Sequence, residues 1–365
     1  MRILIATNGY PTEKNPARQV FIRNIKQALT DAGHKCTLAY NRYFDLFHSP
    51  LGTGTVFTSS IRIVSLILSF IPAIIWKARK ADIIYSHAPY LPGLLMNIAA
   101  RMHNVKHVIY VHGSVNTYSQ NRGLSYKLAS FAMRRCDTVF TNSRYMKQRL
   151  LDDYGIESHI VPPGYKSIIF TNTDKERTTD MLFAGNCIRG KGVLILLQAI
   201  RDNRQYYQEN RFKIRMCCSG KLKPEVIRFC KSHRLDDILS IEDKLEEQDL
   251  AEAYNRTKIV LFPSLEEALG LVGIEALACG AFLIASDTGG IPEYVNHGIN
   301  GLLVEPGNSL ELHQAVKKTF EEKRWNRSKQ EIKECEKILK RYTLESGATQ
   351  AIKHFNEILS KKDPA

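Results

Sequence analysis

The chain has 365 residues, of which 44% are hydrophobic and 24% are charged, the composition of an ordinary soluble globular protein. Its length is more than one small core requires and favours two domains. The eight cysteines form no CxxC pair and most lie in apolar runs, which argues against a disulfide framework or a zinc site and for reduced cysteines in a cytosolic protein.

The formal net charge of +14 belongs to the first half of the chain. Residues 1–170 carry 21 Lys and Arg against 8 Asp and Glu, whereas residues 171–365 carry 30 against 29. A basic face of this kind favours an anionic partner, which could be a membrane surface, a nucleic acid or an acidic glycan. The alternative is a basic surface without a partner.

Short β-rich runs alternate with helical runs in the first half. The N-terminal residues lack the apolar length of a signal peptide and are predicted to form the first strand. Helices are predicted over residues 21–32 and 125–135. The predicted strands are residues 3–6, 36–40, 82–86, 107–111, 138–141 and 159–161.

Residues 61–76 come closest to a transmembrane segment. At about 16 residues, with Arg62 near the start and Pro72 inside, they fall short of the roughly 20 residues of a spanning helix. Basic residues follow directly at 77, 79 and 80. An apolar helix with a basic end can lie in a membrane interface, but a helix packed on a sheet has much the same sequence, so both interpretations stay open.

The second half repeats the alternation, with predicted strands at 180–184, 212–218, 239–241, 258–262 and 282–285 and predicted helices at 193–200, 224–233, 247–254, 271–279 and 309–323. Such alternation predicts parallel sheets with helices on both faces. Because it occurs twice, we expect an α/β protein of two Rossmann-like doubly wound domains facing a central cleft, with the ligand at the carboxyl ends of the strands. The expected domains are residues 1–165 and 166–345, followed by a C-terminal helix over 346–365 that could pack back on the first domain.

The most informative stretch is residues 264–280, which read SLEEALGLVGIEALACG. It follows an apolar run and Pro263, an order that predicts a buried strand, a tight loop and a helix start. Glu267 lies before the turn glycine, and Glu275 lies eight residues on, inside the helix. Free backbone N–H groups at the helix start can hold an anion between these two carboxylates. Phosphate in the middle and hydroxyl groups at both ends describe a sugar nucleotide.

Further motifs follow in order along the chain: FAG at 183–185, KGV at 191–193, FPS at 262–264, EALACG at 275–280, GGIPE at 289–293 and NGLLV at 300–304. With seven residues between Glu267 and Glu275, this ordered set resembles the retaining glycosyltransferases of the GT-B fold, family 4 (glycosyl transferases group 1). The resemblance covers nearly the whole chain. It implies an acceptor-binding first domain and a second domain that binds a nucleotide sugar.

The resemblance also implies a role for each carboxylate. Glu275 would take both hydroxyls of the ribose, since a carboxylate offers two acceptor oxygens. An unpaired carboxylate in so apolar a stretch would be costly to bury, which argues against a helix-surface glutamate. Glu267 would face the hydroxyls of the transferred sugar. Its neighbour Glu266 fits the alternative of an exposed loop acid.

Backbone amides and one lysine would hold the diphosphate. Gly270, Leu271 and Val272 are expected to present amides at the helix start, unless Gly270 serves only the turn. Lys191 would offset the charge that grows on the leaving nucleotide. A solvated lysine near a helix start is the alternative, although its charge is poorly placed against the helix dipole.

The chain departs from the family pattern in three places. Beside Gly185 the family carries an arginine, where this chain has Asn186, which cannot grip phosphate bidentately. Arg189 is the candidate substitute. Residues 162–166 read PPGYK where the family has Pro-Asn-Gly and an acid. The paired glycines after the first strand are missing, so the acceptor-binding residues stay unknown.

Two histidines follow strands of the first half. By resemblance His112 lies near the donor sugar and counts with Lys191 and Glu267 as a catalytic candidate, although a lone histidine is as often structural. His87 is expected to be a core or loop residue.

The leading hypothesis is a retaining glycosyltransferase that moves a sugar from a nucleotide-sugar donor to an acceptor hydroxyl, with a lipid-linked or polymeric glycan of bacterial-type surface polysaccharide assembly as acceptor. The alternatives are a GT-B-fold sugar-nucleotide epimerase, a basic nucleic-acid-binding protein, and a dinucleotide-dependent oxidoreductase, which the absence of G-x-G-x-x-G after the first strand disfavours. We expect no metal, no cofactor and no nucleic-acid partner. The expected location is cytoplasmic, with an anionic membrane surface as a candidate partner.

Overall fold

The computed structural model describes residues 1–7, 10–11, 19–40, 71–87, 89–113 and 123–361. The chain divides into two compact units. The first comprises Met1–Gly164 with Leu344–Ala365, and the second comprises Tyr165–Thr343. Each unit is built on one six-stranded sheet whose strands all run parallel.

The sheet of the first unit has the strand order β2-β1-β3-β4-β5-β6. Its strands are β1 (Arg2–Thr7), β2 (Lys35–Tyr40), β3 (Ile83–Ser86), β4 (Lys106–Val111), β5 (Thr138–Thr141) and β6 (His159–Ile160). The helices between them are α1 (Val20–Asp31), α2 (Ile71–Ala78), α3 (Leu91–His103), α4 (Leu124–Met133) and α5 (Arg144–Tyr154).

Both faces of this first sheet are buried. Along β1, Ile3 and Ile5 pack into one apolar cluster with residues of α1, whereas Leu4 and Ala6 pack into a second cluster with residues of α2 and α3. Side chains alternate between the faces of a strand, so a strand covered on both sides must be apolar throughout. This is why the inner strands β1, β3 and β4 read as nearly continuous hydrophobic runs, whereas the edge strand β2 is partly exposed.

The sheet of the second unit has the order β12-β11-β10-β7-β8-β9. Its strands are β7 (Thr179–Asn186), β8 (Ile214–Ser219), β9 (Leu239–Glu242), β10 (Thr257–Phe262), β11 (Phe282–Ser286) and β12 (Gly301–Val304). Its helices are α6 (Val193–Asp202), α7 (Arg204–Glu209), α8 (Lys223–Ser232), α9 (Glu247–Asn255), α10 (Leu271–Ala278), α11 (Ser309–Glu321) and α12 (Lys329–Leu339).

The second sheet is likewise covered on both faces. Met181 and Phe183 of β7 join a cluster with α6, α8 and α11, whereas Leu182 and Ala184 join a cluster with α9, α10 and α12. Read from β7, the strand order is 3-2-1-4-5-6, the doubly wound order of the Rossmann fold. The α/β fold class predicted from the sequence is therefore confirmed.

The last helix, α13 (Leu344–Ser360), belongs to the first unit, where it packs against α1. Phe355 is fully buried, and its ring lies 5.2 Å from the Tyr85 ring and 5.7 Å from the Phe140 ring. Gly347 lies against the chain at Pro162, where a Cβ atom would come within 2.3 Å of the Pro162 carbonyl oxygen. The C-terminal segment therefore completes the core of the first unit.

The sequence did not predict every element. Helices α3, α5, α7 and α12 and strand β12 carried no prediction of their own. Of the apolar segment 61–76, residues 61–70 lie outside the described residues. The described end is amphipathic, since Ile74 is 1% exposed and Trp76 is 56% exposed. No helix in the described ranges is long and apolar enough to cross a bilayer.

Candidate active site

The candidate residues of the second unit lie where the strand order of its sheet reverses, between β7 and β10. Strands β7 and β10 are neighbours, but the chain proceeds from β7 toward β8 and from β10 toward β11, on opposite sides. The connections that leave such a pair of strands diverge, and the crevice between them is the usual ligand site of a doubly wound sheet. The loop after β7 carries Lys191, and the loop after β10 carries Glu267.

Lys191 and Glu267 form an ion pair between the Lys191 Nζ and the Glu267 Oε2. Their side chains are 26% and 13% exposed, so the pair is partly desolvated. The Ser264 Oγ lies 3.5 Å from the same carboxylate oxygen, and the Lys191 Nζ lies 5.7 Å from the centre of the Phe262 ring. The structure thus joins two residues that are 76 positions apart in the sequence.

The two loops are held in contact by a close backbone approach. Gly192 has φ +65°, and a Cβ atom there would lie 1.8 Å from the Pro263 carbonyl oxygen. The Leu265 N–H donates to the Gly190 carbonyl at 2.9 Å. Only glycine fits position 192, because any side chain would push the two loops apart. The position of Lys191 relative to Glu267 therefore depends on this glycine.

Helix α10 begins at this point with its N-terminus uncapped. No side chain of the described residues accepts a hydrogen bond from its first turn. The preceding residue, Gly270, has φ +86°, and a Cβ atom there would lie 2.8 Å from the Phe262 ring. The Tyr294 hydroxyl donates to the Gly270 carbonyl at 3.0 Å and fixes the turn. The amides of Leu271 and Val272 are thus left available to an anion at the positive end of the helix dipole.

Glu275 lies about one turn further along α10 and is half-buried. No donor among the described residues forms a hydrogen bond with its carboxyl group. Burial raises its pKa from 4.5 to about 8, the nearby Glu247 carboxylate adds to the rise, and Lys244 and Lys166 oppose it. Lys166 itself pairs with Glu247. The free protein therefore holds a largely protonated carboxyl group here near neutral pH, and ligand hydroxyl donors would favour its ionised form.

Two family models match the chain in succession, Glycosyltransferase Family 4 over residues 19–166 and Glycosyl transferases group 1 over residues 165–341. Together they cover both units of the fold. The chain belongs to the GT-B glycosyltransferases.

Curated relatives of this GT-B glycosyltransferase are distant. It is 26% identical over 241 residues to an uncharacterized glycosyltransferase of Methanocaldococcus jannaschii, an alignment that covers 66% of each chain. It is 26% identical over 257 residues to the alpha-maltose-1-phosphate synthase of Mycobacterium tuberculosis, covering 62% of this chain and 65% of the synthase. The matches thus span just under two thirds of each relative.

Solved structures match over the full length. Anabaena HepE in complex with UDP-glucose superposes with a TM-score of 0.76 at 15% identity and covers 98% of this chain and 100% of its own. The sucrose-phosphate synthase of Thermosynechococcus elongatus gives a TM-score of 0.79 at 17% identity, covering 99% and 100%. At such low identity these neighbours support the fold alone.

Asn186 and Arg189, the two residues considered for the role of the family's arginine, are exposed in this GT-B glycosyltransferase. Gly185 and Asn186 end β7, and Arg189 opens the short 3-10 turn that leads to Lys191. Neither side chain forms a hydrogen bond or an ion pair with another residue that the structure describes. Within those residues, no group of three or more His, Cys, Asp and Glu side chains is arranged to hold a metal ion.

His112 follows β4 in the first unit, and the structure places it beside His87, which follows β3. The His87 Nδ1 and the His112 Nε2 lie 2.7 Å apart, and the two ring planes are within 16° of parallel, with centroids 5.0 Å apart. Burial lowers the pKa of His87 to about 3 and the pKa of His112 well below its usual value, and in His112 the neighbouring His87 adds to the effect. Both rings are therefore neutral at physiological pH. The buried position of His87 agrees with the expectation for it.

Several residues around the site were not found by sequence reasoning. The Gly290 N–H donates to the Glu267 carbonyl at 3.2 Å, and the Thr288 hydroxyl donates to the Leu265 carbonyl at 3.4 Å, so the loop after β11 braces the loop that carries Glu267. The GGIPE motif marked this loop in the sequence, but the motif did not indicate that the loop supports Glu267. Lys166, whose charge acts on Glu275, comes from a distant segment. The sequence marked it only as part of the departure at residues 162–166 and gave it no role at this site.

Proposed function

We propose that this protein is a retaining glycosyltransferase that transfers a sugar from a nucleotide-sugar donor to a hydroxyl group of a glycan or lipid-linked acceptor. One observation carries the proposal. At the switch point of the second sheet, the Lys191–Glu267 ion pair lies beside the uncapped start of α10. A cation, free amides and a carboxylate together match a charged diphosphate attached to a polyhydroxyl group.

Each residue has a distinct role in the proposed donor complex. The diphosphate accepts hydrogen bonds from the Leu271 and Val272 amides and from Lys191, which exchanges Glu267 for phosphate when the donor binds. Glu267 is then free to accept hydrogen bonds from the hydroxyls of the transferred sugar. Glu275 accepts both ribose hydroxyls, which supply the donors that its carboxyl group lacks in the free protein.

Arg189 and Asn186, exposed at the mouth of the same loop, are proposed to contact the diphosphate more weakly than the arginine that is common in this family. Gly185 and Gly270 contribute by letting ligand atoms approach the backbone. Leaving-group stabilisation then rests mainly on Lys191 and the dipole of α10, a form of electrostatic catalysis that is often worth several kcal/mol.

The proposed reaction proceeds on one face of the sugar. The acceptor oxygen bonds to the anomeric carbon as the bond from that carbon to the phosphate oxygen breaks, and the departing phosphate takes the acceptor proton. The products are the glycoside, with its configuration retained, and a nucleoside diphosphate. The protein contributes positioning and charge stabilisation, and the nucleotide sugar is a substrate rather than a cofactor.

The relatives give this proposal its direction. HepE was solved with UDP and with UDP-glucose, and two other relatives are named alpha-maltose-1-phosphate synthase and D-inositol 3-phosphate glycosyltransferase. A uridine nucleotide is therefore the first donor to try. The role in assembly of a surface polysaccharide rests on family analogy alone.

The proposed acceptor is lipid-linked because the first unit offers a surface suited to an anionic bilayer. Helices α2, α3 and α4 pack side by side and expose large apolar side chains, which we name the apolar–basic face: Trp76, Ile98, Met102, Leu124 and Phe131. Basic side chains lie among them, since the Arg135 guanidinium is 3.9 Å from the centre of the Phe131 ring and the Lys80 Nζ is 5.5 Å from that of Trp76. In such a face the apolar groups can enter the lipid boundary while the cations around them bind anionic headgroups. We therefore propose that the protein is peripheral at the inner face of the cell membrane.

The donor proposal is tested by a thermal-shift panel of UDP, GDP, ADP and TDP sugars, since a ligand that binds the folded state raises its melting temperature. One nucleotide class should stabilise the protein and should fail to stabilise Glu275→Ala. Incubation with that donor and a glycan acceptor should yield a glycoside with the anomeric configuration of the donor. Inversion would refute the retaining mechanism. A new sugar nucleotide formed without acceptor would identify an epimerase instead.

The membrane proposal is tested by flotation with vesicles of phosphatidylcholine alone and with added phosphatidylglycerol. The protein should float only with the anionic vesicles, and Arg79→Glu/Lys80→Glu should stay at the bottom. The matched control reverses two exposed lysines of α12, Lys333→Glu/Lys337→Glu, and should float like the unmodified protein. Equal behaviour of both vesicle types, or of both variants, would contradict the assignment of the apolar–basic face.

A further inference from the structure

His112 is held from two sides at the carboxyl end of β4. Its ring stacks on Tyr110, with centroids 4.0 Å apart, and lies 4.4 Å from the Phe21 ring. The Asn142 side-chain amide donates to the His112 carbonyl at 3.2 Å. These contacts leave the ring little freedom to turn. The chemistry that His112 offers to a ligand is therefore decided by which ring nitrogen carries its proton.

His87 bears directly on that choice. The 2.7 Å distance between the His87 Nδ1 and the His112 Nε2 is a hydrogen bond, and both rings are neutral, so one proton lies between the two nitrogens. Either His87 donates it, in which case His112 carries its own proton on Nδ1, or His112 donates it and leaves its Nδ1 bare. The two arrangements present a ligand with opposite groups, a donor in the first and an acceptor in the second.

The other nitrogen of His87 separates the two arrangements. The His87 Nε2 is buried and has no hydrogen-bond partner. If His112 were the donor, His87 would have to carry its proton on Nε2, as a buried N–H without an acceptor. If His87 is the donor, its Nε2 is a bare acceptor without a donor. Orphaned buried N–H groups are rarer in native proteins than undersatisfied acceptors, so the arrangement in which His87 is the donor is favoured.

We propose that His87 is a positioning residue that donates its Nδ1 proton to the His112 Nε2 and thereby fixes His112 as an Nδ1–H donor. The His112 Nδ1 has no partner among the described residues and is not one of the buried polar atoms, so a ligand can reach it. On the proposed function, the acceptor of this bond is an oxygen of a substrate. His112 then acts as a hydrogen-bond donor and not as a base through this nitrogen.

The direct test is nuclear magnetic resonance of the full chain labelled with ¹⁵N-histidine, which distinguishes protonated from bare ring nitrogens. His112, assigned through the loss of its signals in His112→Gln, should have Nδ1 protonated and Nε2 bare. Protonation at Nε2 in the unmodified protein would overturn the proposal. This readout needs no substrate, so it is separate from the proposed function, which would fail instead if no donor were ever bound or transferred.

Two variants test the role of the hydrogen bond. His87→Asn keeps an amide N–H close to the place of the Nδ1 donor, and His87→Phe keeps an aromatic ring but has no donor. The asparagine variant should keep the His112 protonation pattern and most of the transfer rate. The phenylalanine variant should lose that pattern and about tenfold in rate, which corresponds to about 1.4 kcal/mol. Equal losses in both, or an unchanged pattern in the phenylalanine variant, would mean that His87 only fills space. Should His87→Phe fail to fold, the measurement on the unmodified protein still decides.

Discussion

The pKa of Glu275 makes donor affinity depend on pH. In the free protein this pKa is raised to about 8, mainly by burial and to a smaller extent by the Glu247 carboxylate. In the donor complex the group accepts hydrogen bonds from two ribose hydroxyls, and hydrogen bonds to the ionised form bring its pKa back toward the ordinary value of 4.5. Binding therefore requires the loss of a proton that the free protein holds at neutral pH.

The magnitude follows from the ionised fraction of Glu275. At pH 6 about 1% of the free protein is ionised here, at pH 7 about 10%, and at pH 8.5 most of it. The dissociation constant of a sugar nucleotide should therefore be about 100-fold higher at pH 6 than on the plateau above pH 8, and about tenfold higher at pH 7. The direction of the pH dependence is therefore defined. Donor affinity rises with pH until Glu275 is already ionised in the free protein, and above that pH the affinity is constant.

Isothermal titration calorimetry with UDP-glucose from pH 6 to 8.5 measures this dependence. A sugar nucleotide suits the purpose because its diphosphate is fully ionised throughout the range, unlike that of UDP. Titrations at pH 7 in two buffers with different heats of ionisation should show ~0.9 proton released per ligand bound. Glu275→Gln, which cannot ionise, should bind with an affinity that does not vary with pH. The same pH dependence in both proteins, or no proton release in the unmodified one, would refute the reasoning.

Three further predictions concern the loops of the second unit. Lys191→Met should lower turnover by about 100-fold, which is the cost of removing one electrostatic group at the leaving oxygen. The control Lys175→Met removes an exposed lysine that pairs with Glu252 in the same unit, and it should leave turnover unchanged. Similar rates in the two variants would contradict the role of Lys191. Gly192→Ala should destabilise the protein by about 2 kcal/mol or more in urea unfolding and weaken donor binding, because the added Cβ meets the Pro263 carbonyl. Gly190→Ala should do neither, because nothing lies within 4 Å of its Cβ. Equal stabilities of the two variants would show that the loops move apart to accept a side chain at position 192. Excess EDTA in an initial-rate assay should leave turnover intact because Lys191 and the α10 amides carry the diphosphate charge, and a loss that magnesium restores would overturn this.

The fold could be predicted because burial imposes a strong pattern on parallel strands. β1, β7 and β10 are covered on both faces, so each reads as an uninterrupted apolar run. β12 is harder to predict, because it is short and opens with glycine, and its residues match a family motif more clearly than a strand pattern. Helix α5 has a polar outer face and low mean hydropathy, so its apolar period is weak, although Ser143 caps it. Such helices are stabilised by tertiary packing, which the local sequence pattern does not show.

The candidate site was predictable only in part, for a physical reason. The loop that carries Glu267 and the helix that carries Glu275 are one continuous segment, so their spacing could be read along the chain. The pairing of Lys191 with Glu267 depends on the approach of Gly192 to Pro263, which no local pattern encodes. The same holds for His87 and His112, which follow adjacent strands and are 25 residues apart. Contacts between strand ends come from the sheet order, and the sequence does not state that order.

The central claim is that the diphosphate of a sugar nucleotide is held where β7 and β10 diverge. A crystal structure of the protein with its preferred sugar nucleotide tests this most directly. We predict diphosphate oxygens within hydrogen-bond distance of the Lys191 Nζ and of the Leu271 and Val272 amides, with the ribose hydroxyls on Glu275. A nucleotide bound at any other place on the second unit, or held without Lys191 and Glu275, would contradict the account.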